Sequence, residues 1–423
     1  MKQLLLLAML AASASAAAAQ TTYIHAGKIL ADPSTWLVQS RQTVVIEDGL
    51  VTRIADGYLA DKNGTVIDLE DSFVLPGLID SHVHLAGDDG ESGRLGQVAL
   101  SSAQQAMGGV RSAKRVVLAG FTTVADLNSD PDAIFALREA TERGDVPGPR
   151  ILAAGLAIAA HGGHGDVNGY RRDVVLALRS PAVCSGVGDC RRAVREQVQW
   201  GADLVKVSVT GGVMSNTAAG LGQQLSNDEI QAIVDTAHHL GRLVTAHAHG
   251  ADGIKAFLAA GGDSIEHGTF IDAEGIALLK ARGGYLIPTL LVGQIVEQEA
   301  RSPTSTYTPA QKAKALEVGP KMIDAARRSH AAGVKIAFGT DTALGTNAKE
   351  FTLLTRAGLS PLEAIQAATV NAADHLRISK VAGSLTPGHS ADVIAVHGDP
   401  LKDISVLEHV TFVMARGAVL KRP

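Results

Sequence analysis

The chain has 423 residues, of which 46% are hydrophobic and 45 are glycine, and its formal net charge is -5. This length suits a barrel of about 250 residues or more together with an accessory domain. A negative net charge provides no basic surface for nucleic acid, and 4% aromatic residues provide few platforms on which single-stranded bases could stack. We therefore expect a globular, turn-rich protein with no nucleic acid partner.

Residues 1–19 have the pattern of a secretory signal peptide. Lys2 gives a positive start, an apolar run follows it, and an alanine-rich exit leads to an expected cleavage after Ala19. The alternative, a transmembrane anchor, needs roughly 20 apolar residues, and the strongly apolar part is shorter than that. No later stretch is long and apolar enough to cross a bilayer. The sequence thus predicts a periplasmic or secreted protein that has no membrane association after cleavage.

Segments with the character of β-strands lie near both ends of the chain. Residues 43–54 predict a hairpin through Asp48 and Gly49, because this pair suits the positive φ angles of a two-residue type I′ turn. Residues 383–396 and 410–419 again read as strand, turn and strand. We expect residues 20–72 and 381–423 to combine into one small β-sandwich that carries no catalytic residue.

Between these segments, residues 73–380 alternate predicted strands and helices. Capping boxes at Ser226–Glu229 and Ser360–Glu363 mark the starts of two helices, and residues 250–260 fit a third. Repeated strand-helix units imply a parallel sheet, and eight of them imply closure into a (β/α)8 TIM barrel, an α/β fold. The eight predicted strands lie near residues 73–81, 121–126, 150–157, 203–209, 242–247, 263–266, 284–291 and 334–339.

Side chains that bind metal ions recur where these strands end. In an extended strand, His82 and His84 point to the same side, so both imidazoles can reach one ion. A lone His-x-His is a weak signal, but further candidates at strand ends strengthen it. The residues that follow this pattern are His82, His84, Lys206, His247, His267 and Asp341.

The two cysteines, Cys184 and Cys190, do not form a disulfide framework. In an oxidising compartment they could close one small loop, and two free thiols are the alternative. Their spacing matches none of the usual zinc motifs.

At the six candidate metal ligands the chain resembles the amidohydrolase superfamily, whose members are metal-dependent hydrolases on a TIM barrel. The likeness covers nearly all of the mature chain and is most specific in residues 76–84, PGLIDSHVH. Within the superfamily the chain looks most like the bacterial Xaa-Pro dipeptidase and carboxypeptidase branch, which includes ochratoxin-hydrolysing amidases. The features behind this are GGHG at 162–165, TGGVMS at 210–215, AHAHG at 246–250 and the lysine on the fourth strand.

The resemblance implies two divalent metal ions, for which zinc is expected and manganese or cobalt would also fit. His82, His84 and Asp341 would hold one ion, and His247 and His267 the other. Lys206 would bridge them after its amine reacts with carbon dioxide to form a carbamate. For Lys206 the alternative is an ordinary lysine in a salt bridge beside a single metal ion.

The expected reaction is hydrolysis of the amide bond of dipeptides or N-acyl amino acids. A divalent cation can lower the pKa of a bound water from about 15.7 to near 7, which supplies a nucleophile. Asp341 would take the proton from this water and pass it to the leaving amine. Proline, hydrophobic residues and phenylalanine are the expected leaving groups, and ochratoxin A is therefore a candidate substrate. Relatives form symmetric oligomers, so the resemblance also implies a homo-oligomer of up to eight copies.

Three further histidines, His161, His164 and His249, are candidates for binding the substrate carboxylate or its carbonyl. His249 lies two residues beyond His247, and the other two lie in a glycine-rich loop after the third strand. The alternative role for all three is hydrogen bonding that stabilises loops.

Two other functions remain open on the sequence. A cyclic amide or imidazolone hydrolase would use one metal and would lack the bridging lysine, so Lys206 argues against it. A non-catalytic barrel scaffold would have no reason to keep all six ligand residues. Metal content distinguishes the first alternative, and the effect of Asp341→Asn distinguishes the second.

Overall fold

The computed structural model of the protein describes residues 21–86, 96–216 and 220–423. The predicted signal peptide, residues 1–19, lies outside the described residues. The described residues contain no helix that combines the length and the apolar character that a membrane span needs.

The strands and helices alternate through the middle of the chain, as the sequence predicts. In the described ranges the strands are β1 (Thr22–Ile29), β2 (Gln39–Glu47), β3 (Leu50–Asp56), β4 (Thr65–Pro76), β5 (Leu78–Val83), β6 (Phe121–Asp126), β7 (Arg150–Ala153), β8 (Ile158–Ala160), β9 (Val183–Cys184), β10 (Val205–Ser208), β11 (Val244–Ala248), β12 (Ser264–His267), β13 (Tyr285–Ile287), β14 (Lys335–Ile336), β15 (Val393–Val396), β16 (Phe412–Ala415) and β17 (Ala418–Lys421).

The α-helices in the same ranges are α1 (Gly96–Ala99), α2 (Ser102–Leu118), α3 (Pro131–Arg143), α4 (Arg172–Ala177), α5 (Val187–Trp200), α6 (Asn227–His239), α7 (Ala251–Ala259), α8 (Ala273–Ala281), α9 (Leu290–Arg301), α10 (Pro309–Ala331), α11 (Lys349–Arg356), α12 (Pro361–Ala367) and α13 (Val370–His375). Short 3-10 helices lie at Pro33–Thr35 and Ile404–His409.

Strands from both ends of the chain form one seven-stranded sheet, in the order β17-β16-β15-β4-β1-β2-β3. The two ends meet where β4 pairs antiparallel with β15. Asp48 and Gly49 both have positive φ, 50° and 75°, which confirms the predicted turn. A Cβ added to Gly417 would lie 2.6 Å from the Cα of Gly49, so the β2-β3 and β16-β17 turns touch. The predicted β domain from both termini is present as one seven-stranded sheet with its own cluster of buried apolar residues.

The predicted (β/α)8 barrel is present, and its parallel strands form two hydrogen-bonded sheets, β5-β6-β7 and β14-β13-β12-β11-β10-β8-β9. Neighbouring strands pair in parallel, and the Asp203 amide donates to the Ala153 carbonyl (2.9 Å) where β7 meets β10. The barrel closes through backbone hydrogen bonds from Ser81 to Phe338 (2.8 Å) and from Asp341 to His82 (2.7 Å). Because all barrel strands run in one direction, their carboxyl ends face a common mouth.

The first predicted strand differs from the structure, because residues 73–81 span two elements. Phe73 to Pro76 end β4 of the terminal sheet, and the barrel strand β5 starts at Leu78. Gly77 separates the two, and a Cβ there would lie 2.0 Å from the hydroxyl oxygen of Thr122. Glycine is required at this point because the chain passes from one sheet to the other in close contact with β6.

Several local predictions are confirmed. Ser226 and Glu229 form a reciprocal capping box at the start of α6, and Ser360 and Glu363 form another at α12. The helix predicted over 250–260 is α7. Cys184 and Cys190 form a disulfide that joins β9 to the first turn of α5, which is the first of the two alternatives above.

A helical hairpin, α9 and α10, is inserted between β13 and β14. The two helices pack closely, since a Cβ at Gly293 would meet the sulfur of Met322 at 2.3 Å. Helix α9 begins directly after Thr289 at the barrel mouth. The hairpin therefore lies beside the ends of the strands that carry the candidate ligands.

Candidate metal centre

The imidazoles of His82 and His84 converge on the carboxylate of Asp341. Oδ1 of Asp341 lies 3.4 Å from Nε2 of His82 and 2.9 Å from Nε2 of His84. One ligand atom from each of the three residues lies within 4.8 Å of the other two. The end of β5 and the residue that closes the barrel thus bring together one group of donors for a divalent cation.

A second group of donors forms at the ends of β11 and β12. His247, His249 and His267 each offer a ring nitrogen within 4.8 Å of the others, and all three are buried. The ring centroids of His247 and His267 are 4.6 Å apart. The two groups adjoin, because the rings of His82 and His267 are 5.3 Å apart.

Lys206 on β10 lies beside the first group with its side chain buried. Its Nζ is 3.4 Å from Nε2 of His82. In the part of the chain that the structure describes, no carboxylate oxygen lies within 4.0 Å of this Nζ. Burial lowers the pKa of the Lys206 amine, which favours its neutral form. Lys206 thus makes no ion-pair contact among the described residues, and its carboxylation stays a prediction.

Hydrogen bonds to Nδ1 orient three of the candidate imidazole ligands. Nδ1 of His82 contacts Oε2 of Glu266 (2.8 Å), and Nδ1 of His267 contacts Oγ1 of Thr289 (2.7 Å). Nδ1 of His84 lies 3.1 Å from the Asn128 carbonyl, to which it donates. Partners of this kind fix the tautomer and the ring angle, and they leave Nε2 available to a metal ion.

The backbone is unusual at two of the candidate ligands. His267 and Asp341 have φ angles of 70° and 57°, in the left-handed region. Residues other than glycine rarely adopt this conformation, and where they do it is common at functional sites. His267 ends β12 and Asp341 follows β14, so both lie on the carboxyl side of a barrel strand.

The protonation states suit cation binding. Burial, together with repulsion from neighbouring cationic groups, holds the pKa of His247 and of His267 well below the usual range, so both imidazoles are neutral. Burial alone would raise the pKa of Asp341, but attraction to His82 and His84 holds it well below its usual value. Neutral imidazoles beside a carboxylate are the donor types that zinc and similar divalent ions prefer. Both groups therefore fit such an ion.

The three histidines expected to bind substrate lie in different surroundings. The ring of His164 lies 4.2 Å from that of His247, and the ring of His249 is stacked on that of His267 at 4.9 Å. His161 is exposed. The structure thus brings His164 beside the second group of donors, which includes His249, and leaves His161 at the surface; the roles of all three in binding stay predictions.

Glu266 was not among the residues found by sequence reasoning. It is fully buried, and its carboxylate accepts hydrogen bonds from both His82 and Thr245. Burial raises the pKa of Glu266, but His82 and Lys206 together bring it below the usual value, so the group is an anion. The available signal was a charged residue in the otherwise uncharged strand Ser264–His267, directly before a candidate ligand.

Comparison with known proteins agrees with this geometry. The sequence profile of the Amidohydrolase family matches residues 73–420. The chain belongs to the amidohydrolase family. It is therefore a hydrolase with a small-molecule substrate, and the fold predicted from the sequence is confirmed.

Three relatives place this amidohydrolase more narrowly. Ochratoxinase from Aspergillus niger is 32% identical over 442 residues, which cover 97% of this chain and 88% of that protein. The crystal structure of this ochratoxinase has a TM-score of 0.84 at 30% identity, with 96% of each chain covered. A Xaa-Pro dipeptidase with methionine bound in its active site is 38% identical, with a TM-score of 0.89 over 95% of this chain and 99% of that one. A prolidase complexed with N-methylphosphonate-L-proline is 30% identical, with a TM-score of 0.86 over 96% of this chain and 100% of that one. The predicted likeness to this branch of the family is thus confirmed.

Proposed function

We propose that this amidohydrolase uses two divalent metal ions, most suitably zinc, to cleave the amide bond of dipeptides or N-acyl amino acids. The leaving group would be proline or a hydrophobic or aromatic amino acid, and ochratoxin A would yield phenylalanine. The observation that carries the proposal is the meeting of two donor groups beside the buried side chain of Lys206. The similarity to a Xaa-Pro dipeptidase and to ochratoxinase supports the substrate class.

His82, His84 and Asp341 would hold one ion, and His247 and His267 the other. Lys206 would join the two sites as a carbamate, formed when its neutral amine attacks the carbon of carbon dioxide and then loses a proton. A protonated lysine has no lone pair for a metal ion, whereas a carbamate offers two oxygens and a negative charge. The burial of Lys206 supports this reaction because it favours the neutral amine.

When bound, the two ions would polarise the substrate carbonyl and lower the pKa of water. The carboxylate of Asp341 would accept the proton of the attacking water at one of its oxygens and deliver it to the amide nitrogen as the amine leaves. This carboxylate lies at the barrel mouth, with Oδ1 2.9 Å from Nε2 of His84. His164 and His249, which line the second site, would bind the carbonyl or the free carboxylate of the substrate.

We further propose that the protein acts in the periplasm or outside the cell, after removal of residues 1–19, and as a homo-oligomer of up to eight copies. The disulfide between Cys184 and Cys190 agrees with an oxidising compartment.

The test is to incubate the metal-loaded protein with N-acyl-proline, N-acyl-phenylalanine and ochratoxin A, and to measure the amino acid released. Release from at least one of these substrates, lost in the Asp341→Asn variant, is the expected result. If the wild-type protein releases no amino acid from any of them, the proposal is wrong.

A further inference from the structure

The loop 211–216, which follows β10, is held from the side by helix α10. Nζ of Lys314 donates to the carbonyl oxygens of Gly212 (2.6 Å) and Ser215 (2.7 Å). Nε2 of Gln311 donates to the carbonyl oxygen of Met214 (2.7 Å). Lys314 and Gln311 are both buried, and they lie three residues apart on one face of the helix. Two side chains of the inserted hairpin thus bind three carbonyls of this one loop.

The loop 211–216 also contacts histidines in and beside the second donor group. Oγ of Ser215 is hydrogen-bonded to Nδ1 of His164. A Cβ added to Gly212 would lie 2.3 Å from the His164 ring, so this ring packs directly on the loop backbone. The carbonyl oxygen of Gly211 lies 3.4 Å from Nε2 of His247. The position of the loop therefore sets the position of the His164 ring, which lies 4.2 Å from that of His247.

Burying the charged side chain of Lys314 in this contact costs free energy. Among the described residues no carboxylate oxygen lies within 4.0 Å of its Nζ, so the cation is buried against backbone carbonyls alone. Burying a charge without an ion partner costs more than burying a neutral donor such as Gln311. An ammonium group has three N–H donors on one nitrogen, so it can donate hydrogen bonds to carbonyls in different parts of a loop. The contact thus fixes the loop more tightly than a single hydrogen bond could.

We propose that Lys314, assisted by Gln311, is a positioning residue that fixes the loop 211–216 and through it the substrate-binding side chain of His164. This inference rests on the proposed function, in which His164 contacts the substrate. It assigns a role to the α9-α10 hairpin, which contacts the loop 211–216 through these two side chains.

The test compares Lys314→Met with Lys312→Met. Both changes remove one positive charge from α10, but Lys312 takes no part in the contacts with the loop. Kinetics with the best amide substrate should show KM raised about tenfold or more in Lys314→Met, with a smaller change in kcat and unchanged metal content. Lys312→Met should stay within about twofold of the wild type. Gln311→Leu should change KM in the same direction by a smaller factor, and it keeps the proposal testable if Lys314→Met does not fold.

A double-mutant cycle with Ser215→Ala separates positioning from a general loss of stability. If Lys314 acts through the loop on His164, the double variant Lys314→Met/Ser215→Ala should be no worse in KM than the poorer single variant. Additive effects of the two changes, or a wild-type KM in Lys314→Met, would overturn the role of Lys314 while leaving the proposed function intact. A wild-type protein that releases no amino acid from any amide substrate would overturn both proposals.

Discussion

Replacing Glu266 should weaken metal binding although this residue is not a candidate ligand. Its carboxylate accepts a hydrogen bond from Nδ1 of His82 at 2.8 Å and a second one from Thr245, and all three groups are buried. Loss of such an outer partner costs roughly 10- to 100-fold in metal affinity. Glu266→Gln keeps an oxygen for His82 but removes the charge, so we expect the zinc affinity to fall about tenfold, which is about 1.4 kcal/mol of binding free energy. Glu266→Ala removes both contacts, so the zinc affinity should fall by close to 100-fold, which is about 2.7 kcal/mol.

The assay is a competition between the metal-free protein and a chelator of known zinc affinity, for the wild type and both variants. Glu274→Gln serves as the control, because this glutamate lies in the first turn of α8 and pairs with Lys255 at the surface. It should bind zinc with wild-type affinity. Equal affinities for the wild type, Glu266→Gln and Glu266→Ala would refute the reasoning that the carboxylate orients His82.

Three further predictions follow from single contacts. Asp341→Asn should lower kcat by roughly 10²- to 10⁴-fold, because an amide cannot carry the proton, and steady-state kinetics at constant metal content measures this. Glu350→Gln should lower the free energy of unfolding by about 1–3 kcal/mol in urea titration at about pH 9, above the pKa of about 8 to which burial raises this group. The ionised carboxylate accepts from the amides of Leu290 and Leu291 (2.9 and 2.6 Å), and a glutamine would leave one of them unpaired. Replacing both disulfide-bonded cysteines by serine should lower it by about 2 kcal/mol, given the short loop that the bond closes. An unchanged kcat would contradict the proton transfer by Asp341, and an unchanged free energy of unfolding would contradict the contribution of the Glu350 hydrogen bonds or of the disulfide.

The positions of the candidate ligands were predictable because they depend on strand ends. Period-two alternation places His82 and His84 on one side of the chain where β5 ends, and barrel closure brings the ends of β5, β11 and β12 to one mouth. Neither inference needs knowledge of side-chain contacts. The terminal sheet was predictable for a similar reason, since strand and turn signals are local.

The residues that support the ligands were not predictable in the same way. The contact between Glu266 and His82 joins residues 184 positions apart, and the contact between Lys314 and Gly212 spans 102. Such pairs depend on the angle of one strand or helix against another, which hydrophobic periodicity does not record. The same limit explains why the run 73–81 was assigned to one strand: its apolar character continues through Gly77, and only tertiary contact with Thr122 divides it.

The most direct test of the account is the zinc content per chain of the wild type and of Lys206→Ala, prepared identically and measured by elemental analysis. Two ions per chain in the wild type and one or fewer in the variant is the predicted result, because the lysine would supply the ligand that both ions share. One ion per chain in the wild type, unchanged in Lys206→Ala, would contradict the binuclear centre.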